Sequence, residues 1–200
     1  MKKYLKYNLN NHNATFIANR IVKLPSSLQK KINIYTSLNK QQQRIDGLEL
    51  LQEAILDFEL DTSIYNLNTI QYSEKGKPFF DDKVAFSVAY TDSCSVLVFS
   101  KAIKVGVDIE KRKPINVLDY KDCFTPKEWE TILSTKDKEL QFYKLWTRKE
   151  AVAKAIGLGM FMVFNELEVL NDVVVLEQKW AIETEVLSDD YILSAVEAIE

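Results

Sequence analysis

Two periodicities divide the chain. Where apolar residues alternate with polar ones it reads as strand, and where they return every three or four residues it reads as helix. Strand-like runs open it, at Lys3 to Asn8 and Thr15 to Val22, before Pro25 and Ser26 start a short helix. Ile45, Leu48, Leu51, Ile55 and Phe58 then form one apolar stripe, which predicts a long helix from Lys40 to Phe58. The Gly and Pro of "YSEKGKPFF" mark a loop, and three strands are expected after it, at Val84 to Tyr90, Ser95 to Ser100 and Lys104 to Glu110. In "CFTPKEWETIL", Thr125 suits a helix N-cap, Pro126 the first helical position and Glu128 the reciprocal position of a capping box. A further helix is expected over Lys138 to Ile156, ended by Gly157 and Gly159. Strands are expected near Glu166 to Leu170, Val173 to Thr184 and Tyr191 to Ala198.

Helices and strands thus recur in two comparable halves, with a change between Ser100 and Lys104. The expected fold is α+β: two similar α/β lobes in one chain, related by a pseudo-twofold, with the active site in the cleft between them. The lobes are residues 1–102 and residues 103–200, and the second carries the candidate metal site.

Composition narrows the function. With 200 residues, 46% of them hydrophobic and 28% charged, the chain can build a core without disulfides or structural metal. Cys94 and Cys123 form no CxxC pair, and no apolar stretch at the start resembles a signal peptide or a membrane span, so a reduced, cytoplasmic setting is expected. A net charge of −3 argues against a nucleic-acid partner, which would need a surplus of Lys and Arg on one face. The basic groups at Lys101, Lys104 and Lys111 to Lys113 fit either solvated loop charge or a docking patch for an acidic or phosphorylated partner. His12 is the single histidine, which removes two-histidine zinc motifs; it reads as a surface residue.

The strand "VGVDIEK" sets Asp108 and Glu110 on one face, with Cα atoms roughly 6.5 Å apart. Two such carboxylates repel unless a cation lies between them, and oxygen ligands without Cys or His favour Mg²⁺ over zinc. A solvated sheet face fits the same pair. In "LWTRKEAVAKAIG", Glu150 and Lys154 stand four apart on one helical face, as an i,i+4 salt bridge or as a third metal ligand beside a phosphate-binding lysine.

Taken together, "GVDIEK" at Gly106 to Lys111, "FTPKEW" at Phe124 to Trp129, "LWTRKEAVAK" at Leu145 to Lys154 and "GKPFF" at Gly76 to Phe80 resemble the 4′-phosphopantetheinyl transferases of the Sfp-type branch. The resemblance implies a magnesium-dependent enzyme that moves phosphopantetheine from coenzyme A to a serine of an acyl or peptidyl carrier protein, releasing 3′,5′-ADP; a monomer is expected. It implies Asp108, Glu110 and Glu150 around Mg²⁺, and Lys149 and Lys154 neutralising phosphate charge. Arg44 and Lys77 would contact the nucleotide end, with Lys30, Lys31 or Lys40 at the 3′-phosphate. Glu150 or Glu128 would accept the proton of the attacking serine, although the capping box gives Glu128 a structural role of its own. One departure stands out: Ala89 and Tyr90 occupy the places where the family pattern has Ser and His, and Tyr90 can offer a hydroxyl there but no positive charge. The rival expectation is a catalytically impaired relative that binds coenzyme A or a carrier protein without transfer.

Overall fold

The computed structural model describes residues 1–7, 13–101, 104–157, 164–187 and 191–200. His12, Gly159 and the Asn8 end of the first predicted strand lie outside the described residues.

The chain opens with strand β1 (Lys2–Tyr7) and helices α1 (Ala14–Ile21), α2 (Ser26–Asn33) and α3 (Leu38–Asp57). A short hairpin, β2 (Gln71–Tyr72) with β3 (Pro78–Phe79), leads into β4 (Val84–Thr91), β5 (Cys94–Lys101) and β6 (Val105–Lys111). Helices α4 (Pro126–Ser134) and α5 (Lys138–Ile156) follow, then β7 (Val173–Val175), β8 (Lys179–Val186) and β9 (Tyr191–Ile199). The fold is α+β. One antiparallel sheet has the order β1-β5-β4 and the other β6-β9-β8-β7.

Three apolar layers hold these elements. Leu51, Ala54 and Ile55 of α3 pack on Phe86, Leu97 and Phe99 of the first sheet. Leu145, Val152 and Ala155 of α5 pack on Ile182, Ile192 and Val196 of the second. Between the sheets, Ala89, Val96 and Val98 meet Val107, Ile109 and Leu193. β6 is therefore covered twice, its Val105, Val107 and Ile109 face by the first sheet and its Gly106 and Asp108 face by α5.

Three expected elements differ. The run Thr15 to Val22 is helix, not strand: Asn13 caps it by accepting the Thr15 amide, and Ile17 and Ile21 bury one face against Ile45 of α3. Its β-branched residues mislead because burial, not intrinsic preference, decides here. Glu166 to Leu170 is not a strand. Phe164–Glu166 is a 3₁₀ turn, and although Leu167 and Val169 are buried alternately, the Val169 amide donates to the Glu128 carboxylate at 2.8 Å rather than to a ladder. Val173 to Thr184 is broken by a turn closed from Leu176 N–H to Gln178 C=O, giving β7 and β8.

The basic run after β6 is engaged within the protein. Arg112 grips Asp137, the N-cap of α5, with two hydrogen bonds of 2.8 Å, Lys113 pairs with Asp92, and Lys111 lies over the Tyr191 ring.

Candidate functional site

Gly106 sets the geometry. A Cβ on it would lie 2.0 Å from the Ala151 carbonyl oxygen and 2.6 Å from the Ala155 amide nitrogen, so only glycine lets the backbone of α5 rest on β6. That contact brings Glu150 and Lys154 of the helix alongside Asp108 and Glu110 of the strand. The Lys154 ammonium reaches across to Asp108 Oδ1 at 2.7 Å, so its ion pair joins helix to strand.

Three carboxylates share this patch with one ammonium. Asp108 is 6% exposed, and its Oδ2 is buried without a hydrogen-bond partner. Burial, reinforced by Asp108 and Glu150, pushes the Glu110 carboxyl up to about 7, with Lys154 opposing. Burial also raises Glu150, again with Asp108 adding to the shift. A buried anionic oxygen lacking a partner beside two further carboxylates is a donor set suited to a hard divalent cation. As placed here, no group of three or more His, Cys, Asp or Glu side chains among the described residues converges closely enough to hold a metal ion, so the three carboxylates would have to draw together around one. Lys154 supplies a counter-charge to Asp108.

A cleft leads away from Lys154. Two cavities of about 240 and 350 Å³ share Arg44, Gly76, Pro78 and Tyr90; the first ends at Lys154 and Gly157, the second at Lys31 and Tyr35. The Arg44 guanidinium lies 4.4 Å from the centre of the Tyr90 ring and 5.2 Å from that of Tyr35, a cation held between two aromatic faces. Burial raises the Tyr90 phenol, with Arg44 pulling the other way. A Cβ on Gly47 would come 2.5 Å from the Tyr90 hydroxyl, so a glycine makes room for the tyrosine. Of the three N-terminal lysines, Lys31 lines the cavity, with its ammonium 3.7 Å from the Tyr72 ring centre. Lys30 and Lys40 are exposed and are not among the lining residues.

Two expected phosphate contacts sit elsewhere. Lys149 is fully buried: its ammonium pairs with Glu128 Oε2 at 2.7 Å and donates to the carbonyls of Phe164 and Leu167. Burial lowers its pKa against the pull of Glu128. It faces away from the cleft and is the counter-ion of Glu128. Glu128 itself accepts from the amides of Thr125 and Val169 as well, which completes the capping box and ties down the segment after the 3₁₀ turn. Lys77 lines the cleft, but its ammonium donates to the Lys154 carbonyl at 2.5 Å and the Ala155 carbonyl at 3.4 Å. Neither this contact nor the tightness at Gly106 was among the expectations from the sequence. A glycine two residues before the first carboxylate of a strand was the available signal for the second.

Residues 104–196 match the family model of the 4′-phosphopantetheinyl transferase superfamily. Over 95 residues the chain is 34% identical to 4′-phosphopantetheinyl transferase gsp of Aneurinibacillus migulanus, covering 46% of this chain and 40% of that protein. Over 117 residues it is 32% identical to 4′-phosphopantetheinyl transferase Sfp of Bacillus subtilis, covering 56% and 50%. The chain thus spans half or less of the length of these relatives. Among solved structures, the holo-[acyl-carrier-protein] synthase (AcpS) of Thermotoga maritima aligns with a TM-score of 0.39 at 15% identity, covering 48% of this chain and 63% of that one.

Proposed function

We propose, because residues 104–196 match the family model of the 4′-phosphopantetheinyl transferase superfamily and the chain is similar to its Sfp-type members, that it belongs to that superfamily and transfers 4′-phosphopantetheine from coenzyme A to a serine of an acyl or peptidyl carrier protein, releasing 3′,5′-ADP. One observation carries the reading: the buried Asp108, with one oxygen on Lys154 and the other free, flanked by Glu110 and Glu150 at the end of a cleft lined by cations and aromatic rings. Residues 1–102 and 103–200 are read as two similar lobes related by a pseudo-twofold. Their support is that each half has an antiparallel sheet with one long helix, α3 or α5, packed on it.

Asp108, Glu110 and Glu150 would hold Mg²⁺, which when bound supplies charge neutralisation for the pyrophosphate of coenzyme A. The chain's own residues position the reactants. Lys154 exchanges Asp108 for a phosphate oxygen, a charge-assisted bond that orients the group being transferred. Arg44 and Lys31 receive the phosphates at the nucleotide end, and Tyr90 adds a neutral hydroxyl donor there. Glu150 accepts the proton from the attacking serine Oγ. Glu128 is left to its structural bonds.

The setting proposed is cytoplasmic and monomeric, without a nucleic-acid or membrane partner; both cysteines are free thiols, and no helix among the described residues is long and apolar enough to cross a membrane. The rival reading, binding without transfer, has Tyr90 in place of the family histidine in its favour. Intact mass of a panel of apo carrier proteins, incubated with coenzyme A, Mg²⁺ and this protein, separates the two. At least one carrier should gain a phosphopantetheine arm. Coenzyme A binding with no carrier modified would support the rival, and neither binding nor modification would overturn both.

A further inference from the structure

The last turn of α5 is closed in two ways. Gly157, with φ of 82°, turns back so that its amide donates to the Ala153 carbonyl at 3.0 Å. The next two carbonyls, of Lys154 and Ala155, are acceptors that a helix end leaves without intrahelical partners. Lys77 takes both. A cation is well placed there, since the helix dipole leaves partial negative charge at its C-terminus.

The lysine is delivered by a rigid turn. The Ser73 amide donates to the Lys77 carbonyl at 2.9 Å, the Lys77 amide to Ser73 Oγ at 3.1 Å, and Gly76 supplies the positive φ of 79° that lets the hairpin close. One residue of α5, Lys154, thus has its carbonyl held by Lys77 and its ammonium held by Asp108.

We propose that Lys77 is a positioning residue for Lys154: it acts on coenzyme A through the last turn of α5 and does not touch the phosphates itself. The proposal rests on the transfer function above. With its ammonium on two carbonyls, Lys77 contributes hydrogen bonds where the phosphate reading needs a free charge. A neutral donor of similar reach therefore replaces it, whereas an apolar side chain of similar length does not.

The test compares Lys77→Gln with Lys77→Met, alone and combined with Lys154→Ala, in steady-state transfer to a carrier protein. Lys77→Met should raise KM for coenzyme A about tenfold, the scale of a lost charge-assisted phosphate contact, with kcat little changed. A purely structural defect would instead lower kcat through less folded enzyme. Lys77→Gln should recover most of the loss, and Lys77→Met should add nothing in the Lys154→Ala background. Equal damage from Gln and Met with multiplying effects in the double variant would overturn the proposal, as would a silent Lys77→Met. Amide hydrogen exchange in the free protein gives an arm that needs no activity: Lys77→Met should speed exchange at residues 153–157, and unchanged exchange would also overturn the clamp. A wild type without transfer would count against the function, leaving the exchange result to decide the placement of Lys154.

Discussion

A lysine with no exposed surface must have its charge met inside the protein, and Lys149 meets it with Glu128 and two carbonyls. Removing one partner of a fully buried ion pair leaves the other uncompensated, at a cost of about 3–5 kcal/mol. Lys149→Met should therefore lower the free energy of unfolding by about that much, measured by denaturant titration, while KM for coenzyme A stays unchanged in the folded fraction. A raised KM with unchanged stability would return Lys149 to the phosphates. Helix geometry made the distinction available in advance: successive residues point about 100° apart, so Lys149 and Glu150 cannot both face β6. Spacing placed Asp108 with Glu110 on one strand face and Glu150 with Lys154 on one helix face, but only the resemblance to the 4′-phosphopantetheinyl transferases joined the four into a set. The carbonyl partners of Lys77 and Lys149 were not legible, because backbone acceptors carry no sequence signal.

At the scale of elements, the site depends on how closely α5 lies on β6. Gly106→Ala would drive a methyl group into the Ala151 carbonyl, and backbone cannot give way as a side chain does. The helix should shift off the strand at a cost of about 1–3 kcal/mol or more. Separation of Lys154 from Asp108 should follow, read as lost stability in thermal unfolding together with slower transfer. Stability and transfer both at wild-type level would show that the close approach is not needed. The ends of α5 were plain from the sequence, since Gly157 punctuates its finish, and the cap and box of α4 stood out equally. Helix α1 was not, because its eight residues show a buried face only once Ile45 of α3 is there to receive Ile17 and Ile21. Nor was the segment after the 3₁₀ turn, whose alternation is real but whose Val169 amide is bound by a side chain.

Across the whole molecule, the two sheets share a core. Val96 and Val98 of one sheet and Val107 and Leu193 of the other are essentially without exposed surface, so parting the sheets would return that apolar area to water. Ion pairs from Lys3 to Glu183 and from Lys113 to Asp92 brace the same junction. The cleft is thus a fixed groove on a packed body, with the β2–β3 hairpin as one wall and the end of α5 as the other, joined by Lys77. On the proposed function, this body presents Glu150 to an ion and an attacking serine, not merely to solvent. Single-turnover transfer by Glu150→Gln, followed beside thermal unfolding, tests it most directly. Transfer should slow by roughly 10² to 10⁴ with an unchanged melting temperature; a rate near that of the wild type would mean that Glu150 serves neither the ion nor the serine.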